Sequence, residues 1–245
     1  MKYLLAFILL FAQAIADDTK QKVTIGAGPY LQTQPYKGVD DLLLPSPVIF
    51  FDNGIFYARW SRFGLYFLGE KKEDYSWGFS LTVQPRVYGY DSSDIAGMHT
   101  RESSFEGGIA FSAKKDKAHI ELMALTDVLG RYDSKIFQGE IGYDLEYSNF
   151  SIYPSIFAIW QSSQFVNYYY GVESDEATLQ RAQYTPSSGL QVGIQTYIEY
   201  PLTEKLSAFV NLRVDKLSQE ATDSPLVNED YIYSGLASLI YTFQY

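Results

Sequence analysis

Tyr231-Ile-Tyr-Ser-Gly-Leu-Ala-Ser-Leu-Ile-Tyr-Thr-Phe-Gln-Tyr245 alternates with a period of two, and its reading decides the fold. Tyr231, Tyr233, Gly235, Ala237, Leu239, Tyr241, Phe243 and Tyr245 share one face, with aromatic residues at both ends. Ser234, Ser238, Thr242 and Gln244 share the other, interrupted by Ile232, Leu236 and Ile240. A soluble edge strand with such a surface would pair with other chains. A membrane barrel requires it: an apolar middle toward lipid, an aromatic girdle at each interface, smaller or polar groups inward. The stretch therefore reads as the strand that closes a transmembrane β-barrel, and it must pair with a first strand near Val23–Tyr30.

The same alternation recurs upstream. Strands are expected at Leu44–Phe51, Ile55–Trp60, Leu65–Leu68 and Tyr75–Val87, then from Phe105, Ile120 and Phe137, and again from Phe150, Leu190 and Leu206. With the first and last this makes about twelve, and the expected fold is all-β, a single antiparallel transmembrane barrel. Asp52-Asn-Gly54 is a hairpin turn, since Asn-Gly tolerates the positive φ that tight turns need. Ser61–Gly64 is expected to turn the third strand into the fourth. Counted from the periplasm, the even connections (at Asn53, Lys71, Lys115, Ser148 and Thr203) are tight, and all the long loops are odd. Short periplasmic turns and longer outer loops are what a bacterial barrel shows. A soluble two-sheet protein would also alternate, but strands of about ten residues with aromatic ends fit a membrane span better.

The N-terminus reads as an export signal. Lys2 supplies the positive charge, Leu4 to Ala12 the apolar core, and Ala14-Ile-Ala16 a small-x-small cleavage site before Asp17. The apolar run, about nine to thirteen residues, is too short for a membrane helix. Residues 1–16 are thus expected to be a cleaved signal peptide and residues 17–245 the barrel, in the outer membrane of a Gram-negative bacterium. The chain has no cysteine, which excludes disulfides, thiol catalysis and Cys-based metal sites. A net charge of −10 argues against nucleic acid as a partner. Aromatic residues make up 17% of the chain, including 22 Tyr, which suits two interfacial belts.

The inward faces carry Arg86, Glu106, His119, Glu121, Glu140, Asp144, Glu146, Glu199, Arg213 and Asp215. A hydrophilic pore would use such residues. Both signs are present, however, and unpaired inward charges are costly, so Arg86, Glu106, Glu121, Glu140, Asp144, Glu199, Arg213 and Asp215 are read as a network filling the lumen. No catalytic constellation stands out: there are two histidines, His99 and His119, and no motif singles out a serine beside either. Asp91-Ser-Ser-Asp94 and Glu173-Ser-Asp-Glu176 lack a calcium-loop spacing and read as solvated loops. No catalytic residue, metal or cofactor is expected. The longest loop, about Ser162–Ser188, begins with Tyr168, Tyr169 and Tyr170 and ends in good helix formers. A short helix is expected over Asp175–Ala182 with Ser174 as its N-cap. Tyr168, Tyr169, Tyr170, Asp175 and Glu176 are its candidate contacts for a partner or for surface adhesion.

Tyr170-Gly-Val172, Tyr200-Pro-Leu-Thr-Glu-Lys205, Asp223-Ser-Pro-Leu-Val227, Gly38-Val-Asp-Asp41 and Leu44-Pro-Ser-Pro47 occur in an order that resembles the MipA/OmpV family of outer-membrane proteins. The resemblance runs over essentially the whole chain after the signal. It departs at the end, where Tyr241-Thr-Phe243 matches the family's final Tyr-x-Phe but Gln244-Tyr245 follows. Tyr241, Phe243 and Tyr245 are therefore the candidates for the signal read by the barrel assembly machinery. The resemblance implies a non-enzymatic barrel in outer-membrane lipid, acting as a scaffold between a lytic transglycosylase and a peptidoglycan synthase. A small channel and a surface adhesin are the competing expectations. A periplasmic binding surface would have to use rim residues such as Lys71, Lys72, Lys114, Lys115 and Lys205.

Overall fold

Side chains that alternate apolar and polar can satisfy lipid and lumen together only if the sheet has no free edge, because unpaired main-chain groups are costly in hydrocarbon. In the computed structural model, which describes residues 22–244, every strand pairs antiparallel with its neighbour in sequence and the last pairs with the first. The strands are β1 (Lys22–Gln32), β2 (Leu42–Asp52), β3 (Phe56–Arg59), β4 (Arg62–Lys71), β5 (Tyr75–Arg86), β6 (Ser104–Lys115) and β7 (Ala118–Asp127). β8 runs Lys135–Tyr143 and resumes at Leu145–Tyr147; β9 is Phe150–Gln161, β10 Gly189–Pro201, β11 Leu206–Lys216 and β12 Tyr231–Gln244. Both segments of β8 pair with β9, so the barrel has twelve strands, as the alternation predicts. Closure is made by Ile25 opposite Tyr241, Ala27 opposite Leu239 and Leu31 opposite Gly235. Residues 1–16, expected to be a signal peptide, and Tyr245 lie outside the described residues.

Ile25, Leu81, Ile109, Leu122, Ile141, Ile156, Ile194, Leu212 and Leu239 all point outward and are 42–61% exposed. A continuous aliphatic band of this kind is stable against lipid and not against water. On β12, Tyr231 and Tyr233 mark one end of the band and Tyr241 and Phe243 the other, all exposed. The residues that interrupt its polar face are explained by the interior. Ile232, Leu236 and Ile240 are each 2% exposed, and Leu236 and Ile240 pack with Val48 and Phe209 in an apolar cluster inside the barrel.

The inner turns at 53–55, 72–74, 116–117, 148–149 and 202–205 are short. At the first, Gly54 takes φ +79°, Asp52 accepts its N–H at 3.0 Å, and Asn53 accepts from Phe56 at 2.7 Å. The outer connections are long except between β3 and β4, where the turn is Trp60–Ser61 rather than Ser61–Gly64. β3 is shorter and β4 longer than the sequence suggests. A bulge between Tyr66 and Leu68 shifts the register there and hides the period of two. Trp60 sits at φ +55°, a conformation normally left to glycine.

The helix of the long loop is also placed differently. The helix α1 is Ser163–Tyr170, and Phe165, Val166, Tyr169 and Tyr170 form its buried face. Residues 175–182 form turns and bends instead, with Leu179 fully exposed. The earlier stretch has an apolar face to bury, whereas the later one offers helix propensity without packing, and packing decides short helices. A one-turn helix α2 (Gln219–Thr222) lies in the last outer loop.

Because β3 and β4 form so short a hairpin, the wall is incomplete beside it. β2 pairs with β3 only at Phe50–Asp52, and β5 pairs with β4 only as far as Val83. Residues 42–48 of β2 and 84–86 of β5 have no ladder partner on the facing sides, which leaves a notch in the outer half of the barrel.

Candidate functional site

Strand alternation turns the predicted charged residues into the lumen, where they meet in chains. Glu106, fully buried, accepts two hydrogen bonds from Arg86, both 2.7 Å, and one from Gln84 at 3.1 Å. Gln84 accepts from Arg62 at 3.3 Å, and Arg62 binds Glu121, which also takes Arg59 at 3.3 Å. The chain Arg59–Glu121–Arg62–Gln84–Glu106–Arg86 thus links β3, β4, β5, β6 and β7. Nearer β11, Arg213 holds Asp215 at 2.7 and 2.6 Å, and Gln191 reaches Asp215 at 2.5 Å and Tyr88 at 3.1 Å. The Arg213 guanidinium lies 4.0 Å from the centre of the Phe157 ring. Charge-assisted pairs of this geometry are what keeps buried charges tolerable.

Three predicted members, Asp144, Glu199 and Glu140, stand apart from these chains. Asp144 interrupts β8 at the periplasmic rim and pairs there with Lys114 at 2.5 Å and His119 at 3.4 Å. Glu199, partly exposed near the inner end of β10, has no ion-pair partner among the described residues. Glu140 accepts from Gln195 at 2.6 Å. Arg59 and Arg62 were not identified by the sequence, because the bulged hairpin concealed which of its residues face inward.

Above the lumen the outer loops form an aromatic cap. Phe165, Val166 and Tyr169 are 0% exposed, and Tyr132 and Tyr88 meet Tyr169 edge-on at 5.4 and 5.7 Å. Tyr170 stacks on Tyr36 of the first loop at 5.7 Å, and Tyr36 meets Tyr90 at 4.8 Å. Ser224 donates to the Tyr170 carbonyl at 2.6 Å, and Tyr36 bridges Val227. Burial raises the phenol pKa of Tyr36 and Tyr170 well above the usual value and that of Tyr90 to about 12, so the cap carries neutral rings. Three stretches that carry the family resemblance, around Tyr170, Ser224 and Gly38, are therefore parts of one lid.

Of the loop residues considered for partner contact, Asp175 is exposed and Tyr168 half-buried, its ring 5.7 Å from Arg101. Tyr169, Tyr170 and Glu176 are turned inward. Glu176 receives Arg101 at 2.8 Å and the N–H groups of His99 and Glu173 at 2.8 and 2.9 Å. Burial works to raise its pKa, but these hydrogen bonds and the Arg101 charge outweigh it, and the carboxyl is held below its usual range. His99, Glu173 and Asp175 lie near it on the surface, with ligand-capable atoms within 4.8 Å of one another. Asp91 accepts from Ser93, and Asp94 from the Asp91 N–H at 2.9 Å, the internal bonding of a solvated turn. His99 and His119 have carboxylate neighbours, and neither has a serine partner among the described residues.

The model of the MltA-interacting protein MipA family matches residues 25–243. The chain belongs to the MipA family. The MltA-interacting protein of Escherichia coli K12 is 24% identical over 249 residues, spanning 100% of this chain and 99% of its own. Outer membrane protein OmpV of Vibrio cholerae is 23% identical, spanning 77% of this chain and 74% of its own. Among solved structures, a loop-deletion form of Vibrio cholerae OmpT covers 92% of this chain and 100% of its own at 7% identity, with a TM-score of 0.43. As a MipA-family barrel this is an outer-membrane protein.

Proposed function

We propose that this MipA-family barrel is a non-enzymatic scaffold of the outer membrane, tied to the murein-synthesis machinery through a lytic transglycosylase and a peptidoglycan synthase. The observation that carries this reading is the aromatic cap. With Phe165, Val166 and Tyr169 wholly buried over a lumen crossed by ion pairs, the barrel offers surfaces rather than a passage. This weighs against the channel reading. The inward burial of Tyr169, Tyr170 and Glu176 leaves the long loop little of the surface an adhesin would use. The murein link is supported by the name of the E. coli relative, the MltA-interacting protein.

The docking face in this reading is the periplasmic rim. Tyr75 stands opposite Lys115 and Ser76 opposite Lys114, while Lys71 stands opposite Ser76, so the lysines at 71, 72, 114 and 115 share one side of the rim. Lys114 is held by Asp144 and Lys72 by Glu70 at 2.8 Å, leaving Lys71, Lys115 and Lys205 as exposed cations suited to an acidic partner surface. Residues 1–16 serve as the cleaved export signal, and Tyr241, Phe243 and Tyr245 as the aromatics read by the barrel assembly machinery. Photo-crosslinkers at positions 71, 115 and 205 in intact cells are expected to capture a murein-processing enzyme. Recovery of no periplasmic partner from folded protein would remove the scaffold reading.

A further inference from the structure

The notch beside the β3–β4 hairpin is a framed window. Its floor is Trp60, whose Nε1 donates to Ser46 at 3.0 Å and whose ring meets Tyr30 at 5.8 Å. Its upper edge is a hydrogen bond from Gln32 on β1 to the Val87 carbonyl beyond β5, 2.9 Å. Between them lies a cavity of about 240 Å³ that runs from Leu44, Pro45, Pro47 and Pro85 at the wall to Arg62, Arg86 and Arg213 in the lumen.

The strand edges that frame the window are adapted to being bare. Successive residues of an antiparallel strand turn their main-chain polar groups to alternate sides. Trp60 N–H bonds the Ile49 carbonyl at 2.8 Å, so the odd residues of β2 turn theirs toward the window side. Pro45 and Pro47 share that parity, and proline has no N–H to leave unpaired. Across the window, Val128 N–H bonds the Phe105 carbonyl at 2.9 Å, so Phe105 turns toward β7. Pro85, opposite Phe105, therefore turns its own polar groups toward the window. The prolines at 45, 47 and 85 remove three of the donors that hydrocarbon would otherwise leave unsatisfied on these edges.

We propose that this window binds a single-chain amphiphile with an anionic head, its hydrocarbon tail in the membrane and its carboxylate-class head inside the barrel. The apolar residues at the wall suit the tail. Inside, the cavity is lined by the three guanidiniums of Arg62, Arg86 and Arg213 against one carboxylate, Asp215; Glu106 and Glu121 engage Arg86 and Arg62 without lining it. Each guanidinium has five N–H donors. Arg62 bonds protein through Nε and Nη1, and Arg86 and Arg213 through Nε and Nη2, so each retains donors for an acceptor-rich head. The entry is sideways from the bilayer and leaves the cap closed.

Trp60 reports occupancy directly. In the W77F/W160F protein, refolded into phosphatidylcholine vesicles and checked by heat-dependent gel mobility, dibromostearate is expected to quench Trp60 to a saturating limit. Excess unbrominated stearate should relieve it. Arg62→Gln, which leaves Glu121 paired to Arg59, should weaken the apparent affinity at least tenfold. Quenching that rises without saturation, equal relief by stearyl alcohol, or an unchanged affinity in Arg62→Gln would overturn the proposal. If the double variant does not fold, native mass spectrometry of the unaltered barrel with stearate decides: one molecule retained supports the site, and none retained refutes it.

Discussion

Over the mouth, Tyr169 is buried among Tyr88, Tyr132 and Phe165, and Glu176 is held by Arg101 and two main-chain N–H groups. On the flank, residues 42–48 of β2 face residues 84–86 of β5 with no strand between them, and Gln32 bonds across the top to Val87. The two regions lie close together and solve opposite problems. The cap must exclude water, so it packs rings and sets the buried Arg101 against Glu176. The wall faces lipid, where a bare edge is tolerable only if its donors are removed, and proline does this without any partner. In the proposed reading the barrel is closed along its axis and still open to the membrane.

The strongest way to test the closed side is to unpair it. Glu106→Ala leaves Arg86 buried without its carboxylate and should cost about 3–5 kcal/mol, read as a lowered urea midpoint for the refolded barrel. Tyr169→Ala should cost about 3 kcal/mol in the same measurement, and limited proteolysis should show the loss as outer loops cut faster while the strands stay protected. Acid should loosen the cap selectively. The Glu176 pKa is lower in the folded chain than its ordinary value, so its stabilisation is complete above the usual carboxylate range and is lost as pH falls through the folded value. The protection of the Glu173 and His99 amides, taken relative to their intrinsic exchange rates, is expected to fall on acidification, and Glu176→Gln should abolish that pH dependence. The window side should respond least: Ser46→Ala removes the acceptor of Trp60 and should cost about 1 kcal/mol, seen as a small shift in the unfolding midpoint. A Ser46→Ala loss as large as that of Glu106→Ala would erase the contrast between the two regions.

The barrel was legible because its signal repeats. Most of the strands alternate, and β12 carries the lipid-facing pattern from Tyr231 down to Tyr241 and Phe243 at its inner end. Membership of the inward face was legible for Arg86, Glu106, Glu121, Glu140, Arg213 and Asp215, since a strand with a clean period assigns each side chain. It was not legible for Arg59 and Arg62. One extra residue at the Tyr66–Leu68 bulge shifts the phase, and a four-residue strand is too short to re-establish it. The helix lies at Ser163–Tyr170 and not at 175–182 for a related reason. The sequence at 175–182 favours helix locally, whereas the face Phe165, Val166, Tyr169 and Tyr170 becomes decisive only once Tyr36, Tyr88 and Tyr132 arrive from other loops. The window was out of reach of local reading altogether. Pro45, Pro47 and Pro85 fall on facing edges only through the register of β2, β3, β5 and β6.

Planar-bilayer recording of the refolded protein tests the capped barrel most directly. A flat trace is expected at both polarities from protein shown to be folded, with conducting steps emerging when Tyr169→Ala and Phe165→Ala are combined to open the lid. Stable conducting steps from the unaltered protein would contradict it.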